Sequence, residues 1–596
     1  MNTRAFLTAF LVLAIAGPAI AQGPGPLGRG GEAPFPDGRG GRGGRLGGLP
    51  PRDNAPAATG TAKITGRVVS ADTGTPIRRA QIRITSPDVR VNRDAVTDSD
   101  GRFEILSLPA SRYRLYVNKA GYVALEYGQA RPFEAGKPLD IAAGQSLEKI
   151  DFSLPRGSVI TGRITDEFGD PVTDVQVQAM RYQFVNGQRQ LTNAGRVSTT
   201  DDIGQFRIFG LMPGDYIVQA SMRTNPNAAM TSADVAEAPS GYPGTYYPGV
   251  ADVAQAQAVT VALGQELSSV AFPLVPARLS RITGTVMGSD GRPLAGAMVL
   301  LRAAGGGGPP RLNIGGGSPV RPDGTFRLTN VPPGEYVLDV QQRPRDIQNL
   351  QNVNLSELEF ASMPVSVSGD IDGLSVVTTA GVTVPGRVVF LGATAQKVTA
   401  RNIQITTAPP TGTGSPIMAA AGRALGVGRV NNDGTFELRG LSGPQLVRAG
   451  GLPSGWAVKN ISLDGVDITD APFDFRPGMD PGGLVVTLTD RVTEISGTVR
   501  DAKGQPVADY VLVVFSENDT LWGARSRYVA TTRPNQNGSF SITGLPPARY
   551  LAAVVSSLEN GMQNDVALLA QLRARAENFT LAEGQILSLN LEMPPQ

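Results

Sequence analysis

The 596 residues contain no cysteine and no histidine. Without imidazole there is no Ser-His-Asp triad, no Cys-His dyad and no histidine-held metal. Without a thiol there is no disulfide, no zinc knuckle, no iron–sulfur site and no cysteine nucleophile. Aromatic residues are scarce at 6%, and only two are tryptophan. Charge of one sign is lacking too: 54 Lys+Arg stand against 52 Asp+Glu. That balance argues against a basic nucleic-acid footprint. Beyond Ile20 no apolar run is long enough to cross a bilayer as a helix. What remains is carboxylate, Lys, Tyr or Ser chemistry, or none. The expectation is a non-enzyme with no cofactor and no bound metal.

The first sixty residues set the compartment. Arg4, the apolar run Phe6 to Ile15 and the small-x-small Ala19-Ile20-Ala21 before Gln22 have the form of a secretory signal over 1–21. The chain is expected to be exported and to be periplasmic, cell-surface or extracellular, with no transmembrane segment once the signal is removed. In residues 22–60, 20 of 39 positions are Gly or Pro. Such a stretch buries too little apolar surface to offset its ordering entropy, so it reads as a disordered Gly/Pro/Arg-rich linker.

The remainder repeats one theme. Five segments open alike: Ile64-Thr-Gly-Arg-Val68, Ile160-Thr-Gly-Arg-Ile164, Ile282-Thr-Gly-Thr-Val286, Val384-Pro-Gly-Arg-Val388 and Ile495-Ser-Gly-Thr-Val499. Alternation of apolar and polar residues marks half-buried strands. The glycine faces inward and leaves room for a neighbouring backbone or ring. A G-x-P turn follows at Gly74, Gly169, Gly291 and Gly504, and is missing from the fourth copy. Next comes a hairpin turn entering a strand: Asp100-Gly-Arg-Phe103, Ile203-Gly-Gln-Phe206, Asp323-Gly-Thr-Phe326, Asp433-Gly-Thr-Phe436 and Asn537-Gly-Ser-Phe540. A closing turn then leads to Tyr113, Tyr216, Tyr336 and Tyr550, with Leu446 in the fourth copy. A last strand such as Ile150 to Leu154 ends each unit. One helix is expected, over Asp565 to Ala576.

These signals predict an all-β chain: a tandem array of about five antiparallel sandwiches, at 61–156, 157–277, 278–380, 381–490 (divergent) and 491–596. Short joints predict a semi-rigid row. In order and in recurrence, the I-T-G-x-V opening, the G-x-P turn, the D-G-x-F-x-[IL] strand and the L-P-P-G-x-Y closure resemble carboxypeptidase regulatory-like domains. The likeness is strongest in units 2, 3 and 5. It implies transthyretin-like sandwiches, grouped with carbohydrate-binding-like folds, and no catalysis by the domains themselves.

Candidate sites are few. Tyr242, Tyr246 and Tyr247 cluster in Gly241-Tyr-Pro-Gly-Thr-Tyr-Tyr-Pro-Gly249, a loop of unit 2. With Trp456 and Trp522 they are the aromatic candidates for stacking on sugar rings; for the two tryptophans the competing reading is packing at domain joints. Asp98, Asp100 and Asp433 sit at hairpin turns, where carboxylates can ligate calcium but also make the turn itself. Asp464, Asp467 and Asp470 fall three apart and alternate faces on a strand. The leading expectation is a secreted binding or scaffold protein whose partner is a polysaccharide or a cell-envelope protein; the alternative is a carbohydrate-binding protein using the loop aromatics. A hydrolase using carboxylates alone is the third reading. The oligomeric state is not readable.

Overall fold

The computed structural model describes residues 59–594, apart from 87–88, 90, 186, 223–239, 304–316, 343–357, 394–399, 411–425 and 524. The expected signal and nearly all of the linker lie outside the described residues. Around each of the five opening strands the same pairing recurs. In unit 1 the strand Ala62–Ser70 pairs antiparallel with Arg102–Leu108 and parallel with Ser146–Leu147 and Phe152–Leu154. A second sheet orders Val91–Val96, Gln81–Ser86, Ser111–Asn118 and then Leu125–Glu126, with Leu139–Ile141 also on Ser111–Asn118. The two sheets enclose one apolar core.

The expected antiparallel sandwiches are present, with one parallel edge that the sequence pattern did not show. The opening strand runs parallel to the last strand in every unit: Ser280–Met287 beside Ile371–Val377, Val382–Leu391 beside Leu484–Thr489, Glu494–Arg500 beside Ile586–Glu592. The chain leaves this sheet for the second one and returns to the free side of its first strand. A return by that route matches direction, so the edge is filled by a parallel neighbour.

The glycine of the opening motif lies directly across from the phenylalanine of the hairpin strand in all five units: Gly66 and Phe103, Gly162 and Phe206, Gly284 and Phe326, Gly386 and Phe436, Gly497 and Phe540. All five rings are buried. A Cβ on Gly497 would stand 1.7 Å from the Leu589 carbonyl oxygen and 3.0 Å from the Phe540 ring. On Gly162 it would stand 1.7 Å from the Val270 oxygen and 2.9 Å from Phe206. The last strand and the ring together occupy the space a side chain would need.

The closing tyrosines share one contact. Tyr113, Tyr216, Tyr336 and Tyr550 donate their hydroxyls to the carbonyls of Pro109, Met212, Pro332 and Pro546, each four residues back, at 2.7, 2.6, 2.9 and 2.7 Å. The ring fills the core while the hydroxyl satisfies the turn that brought it there. Unit 4 replaces this device with buried Leu446.

In unit 5 the helix forms over Val566–Arg573, and the Asp565 carboxylate caps it by accepting from the Ala567 amide at 3.0 Å. Its Leu569 and Leu572 bury against the outer face of the sheet holding Val511–Ser516 and Ala548–Val555, making a second small core. Among the described residues no helix is long and apolar enough to cross a membrane.

The expected row of units is corrected. Unit 5 packs against units 1 and 2, more than 370 residues away in sequence. Short joints fix neighbours to each other, and across the four joints the chain brings its last unit back to its first.

Two outcomes follow for stability. Gly497→Ala should destabilise unit 5 by about 3 kcal/mol, the usual cost of overpacking where backbone is in the way. Hydrogen exchange should show the loss in unit 5 and spare unit 3. Burial raises the phenols of Tyr113, Tyr216 and Tyr550, that of Tyr216 to about 12. A raised value means that the folded state holds the proton more tightly. This contribution is therefore complete below pH 10.0, the ordinary value, and is lost as pH climbs through the raised values. Phenolate absorbance should show these tyrosines ionising only together with alkaline unfolding.

Candidate functional site

The structure separates the aromatic candidates. Tyr242 and Tyr247 pack on the rim of the unit 2 core, where the Tyr247 ring meets Phe272 edge-on at 5.8 Å. The Tyr242 hydroxyl donates to the Glu167 carboxylate, and that bond pushes the phenol up to about 12. Tyr246 belongs to the opposite face of the second sheet, over Met180, Leu191 and Ile217. Trp456, 9% exposed, stands edge-on to Phe390 at 5.2 Å inside the unit 4 core. Trp522, also 9% exposed, lies in the small core under the unit 5 helix and donates its indole N–H to the Ser516 carbonyl at 2.7 Å. The two tryptophans therefore meet neither each other nor the tyrosine loop.

The carboxylates have structural partners. Asp98 Oδ1 accepts from the amides of Asp100 and Arg102 at 2.9 and 2.8 Å, and Asp433 Oδ1 accepts from the Thr435 amide at 3.0 Å. This is turn chemistry. Asp464 accepts from the Gly483 amide at 3.1 Å and Asp467 from the Thr469 amide at 2.8 Å. Asp470 takes both arms of the Arg527 fork at 2.8 Å each and so joins unit 4 to unit 5. Among the described residues no group of three or more acidic side chains is arranged to hold a metal.

What sequence reasoning did not single out is a polar junction of units 1, 2 and 5. Asp140 of unit 1 is its centre. Its carboxylate accepts from Arg112 Nε at 2.8 Å and from Asn535 Nδ2 of unit 5 at 2.9 Å. Its backbone N–H donates to Gln536 Oε1 at 3.0 Å, and its carbonyl accepts from Gln536 Nε2 at 2.6 Å. Burial opposes ionisation of Asp140, but the bonds from Arg112 and Asn535 outweigh it and hold the carboxyl below its usual range. Nearby, Arg533 of unit 5 is 3% exposed; it donates to the Ala135 carbonyl at 2.7 Å, bonds Asp509 and lies 3.5 Å from Glu134, also 3% exposed.

A second part of the junction is built from the segment before the unit 5 helix. The Asn560 amide donates to the Phe133 carbonyl at 3.0 Å, and Arg131 donates to the Ser556 carbonyl at 2.7 Å. Arg181 of unit 2 pairs with Glu559 at 2.8 Å while its guanidinium lies 3.4 Å over the Phe133 ring. Gly561 runs so close to unit 2 that a Cβ would stand 2.0 Å from the Phe184 carbonyl oxygen. Between the three units a cleft of about 480 Å³ opens, lined among others by Arg131, Phe133, Arg181, Tyr182, Arg189 and Glu559. Arg189 lies 4.1 Å over the Tyr182 ring.

The junction makes a prediction about shape. Asp140→Ala should open the contact between units 1 and 5 at neutral pH and raise the radius of gyration measured by solution X-ray scattering, with the strand content by circular dichroism unchanged. For a depressed carboxyl the contribution is present above the ordinary value of 3.8 and is lost as pH falls through the lowered one. The unaltered protein should therefore expand only below that value. An unchanged radius in both cases would show that this cluster does not hold the units together.

Comparison with known proteins follows the units. The model of the carboxypeptidase regulatory-like domain matches residues 63–155, 281–366 and 494–594. These fall on units 1, 3 and 5. Unit 2, whose motifs are equally regular, carries a long extended hairpin, Val175–Val185 with Gln188–Asn193. Among curated proteins none matches the chain. Among solved structures it is similar to the Bacillus anthracis TIE protein, with 12% identity over 70% of this chain and 68% of that one and a TM-score of 0.15. It is also similar to a streptococcal ancillary pilin, with 12% identity over 54% and 98% and a TM-score of 0.21. A hydroxyquinol 1,2-dioxygenase from Pseudomonas putida DLL-E4 is similar at 14% identity over 16% and 56%, with a TM-score of 0.11.

Proposed function

We propose that this chain, which carries carboxypeptidase regulatory-like domains at 63–155, 281–366 and 494–594, is an exported, non-enzymatic scaffold that binds a polysaccharide or a cell-envelope protein. The observation that carries this reading is the junction of units 1, 2 and 5. A scaffold works by holding several loop ends in fixed relation, so that weak contacts add through effective concentration. Hydrogen bonds in both directions between Asp140 and Gln536, together with the buried Arg533, supply that fixed relation. The lack of imidazole and thiol throughout the sequence favours binding over turnover.

The test is chemical crosslinking in cells that export the protein. The expected result is recovery from the exported fraction, crosslinked to an envelope component. Recovery from the cytoplasm alone, or turnover of peptide or glycan by the pure protein, would sink the reading.

The carbohydrate-binding alternative draws on Tyr242 and Tyr246, both partly exposed, since the two tryptophans are occupied by their own cores. It predicts that titration with cell-wall glycans changes tyrosine fluorescence and that Tyr246→Ala removes the change. A flat titration across a glycan array would eliminate it.

A further inference from the structure

The repeated units act as controls for one another's turns. At the residue before the glycine of the G-x-P turn, units 1, 3 and 5 carry Thr73, Asp290 and Lys503, all exposed. Unit 2 carries Phe168 there, 83% exposed. At the residue before the hairpin glycine, units 1, 3, 4 and 5 carry Asp100, Asp323, Asp433 and Asn537. Unit 2 carries Ile203, 48% exposed.

Neither turn needs an apolar side chain. Asp166 Oδ1 makes the first by accepting from the amides of Phe168 and Asp170 at 3.0 and 2.8 Å. Asp201 Oδ1 makes the second by accepting from the amides of Ile203 and Gln205 at 3.1 and 2.7 Å. The same turns close in the other units with polar residues at these places. Leaving a phenylalanine in water forgoes the stabilisation that burial would return. Folding gives no reason for it.

The two turns share one end of unit 2. The Ile164 amide donates to the Gly204 carbonyl at 2.9 Å, and the Val172 amide donates to the Ile164 carbonyl at 3.2 Å. A Cβ on Gly204 would lie 3.2 Å from the Pro171 Cβ. Tyr242 joins this end through its hydroxyl on Glu167. Around these apolar groups stand Asp166, Glu167, Asp170, Asp201 and Asp202, and neither turn contains a basic residue. The nearest guanidinia along the chain are Arg163, on the strand leading into the first turn, and Arg207, on the strand leading out of the second.

The geometry points to this tip as a docking site for a protein segment in which Lys or Arg flank an aromatic or large aliphatic side chain. This deepens the scaffold reading by stating the partner's chemistry, and it rests on that reading. Phe168 and Ile203 supply the apolar anchor. The acidic rim draws in cations and rejects acidic surfaces, including an anionic bilayer. A neutral glycan would make no use of the negative charge of this rim.

The probe is a set of short labelled peptides with Lys or Arg around Phe, Trp or Leu, and a matched set with Glu in the basic positions. Fluorescence anisotropy with the full mature chain should show binding of the basic set that weakens with added salt. Phe168→Ser and Ile203→Ser should each weaken it about tenfold. Both positions are exposed at turns, and unchanged circular dichroism would confirm that the variants fold. Four results would overturn the proposal: equal binding by the variants, no binding of any basic peptide, equal binding of the acidic set, or Phe168-dependent binding of phosphatidylglycerol vesicles or a neutral glucan instead. Self-association abolished by Phe168→Ser would overturn it too, since a second copy would then be the occupant. If Phe168→Ser leaves the cellular crosslinks intact, the tip is excluded and the scaffold reading stands; if the unaltered chain gives none, the scaffold reading itself fails.

Discussion

Each unit depends on a glycine set opposite a phenylalanine. The pair sits where three backbones converge: the opening strand, the hairpin strand and the returning last strand. At Gly66, Gly162 and Gly497 the carbonyl of the returning segment comes within 2.0 Å of where a Cβ would be. Without that clearance the last strand could not lie beside the first, and the sheet would keep an open edge. The ring then covers the gap and takes part in the core. A single small residue thus decides both the parallel pairing and the packing density beneath it. The variant opening Val384-Pro-Gly-Arg-Val388 changes the two residues before this position but keeps the glycine.

Cores hold the units; polar contacts hold the assembly. The junction of units 1, 2 and 5 is made largely of hydrogen bonds and ion pairs, with the Arg181–Phe133 stack as its main apolar contribution. Interfaces between domains of one chain are commonly of this polar kind. Arg533 and Glu134 are buried charges and carry a desolvation cost. Asp509 and Arg131 pair with them inside their own units, and assembly adds the Ala135 carbonyl and the Glu134–Arg533 contact. The contacts that cross units favour one arrangement over others.

Much of the fold was legible because it is periodic. The five openings, the hairpin turns and the tyrosine closures each report a local rule, and the helix cap at Asp565 is equally local. Strand direction was not legible: alternation is the same for parallel and antiparallel neighbours, so the parallel last strand had no signature. Nor was the junction, since Asp140, Gln536 and Arg533 belong to no repeated motif and meet across nearly 400 residues. The tryptophans show the converse. Scarcity drew attention to Trp456 and Trp522, yet burial is decided by the volume around a ring and not by its rarity. Phe168 was readable in principle, as a departure from the consensus of its own repeats, but only once the turns were laid over one another.

The separation between Arg112 and Ser541, 429 positions along the chain, has a consequence for biogenesis. A polypeptide made from its amino end delivers unit 1 long before unit 5 exists. Until then Asp140 and Glu134 face solvent, and the early units sample many mutual orientations. The circuit closes only when the last-made part arrives. Completion of the chain is thereby recorded in the shape of the first-made part, and a product released too soon would be well folded unit by unit yet never locked.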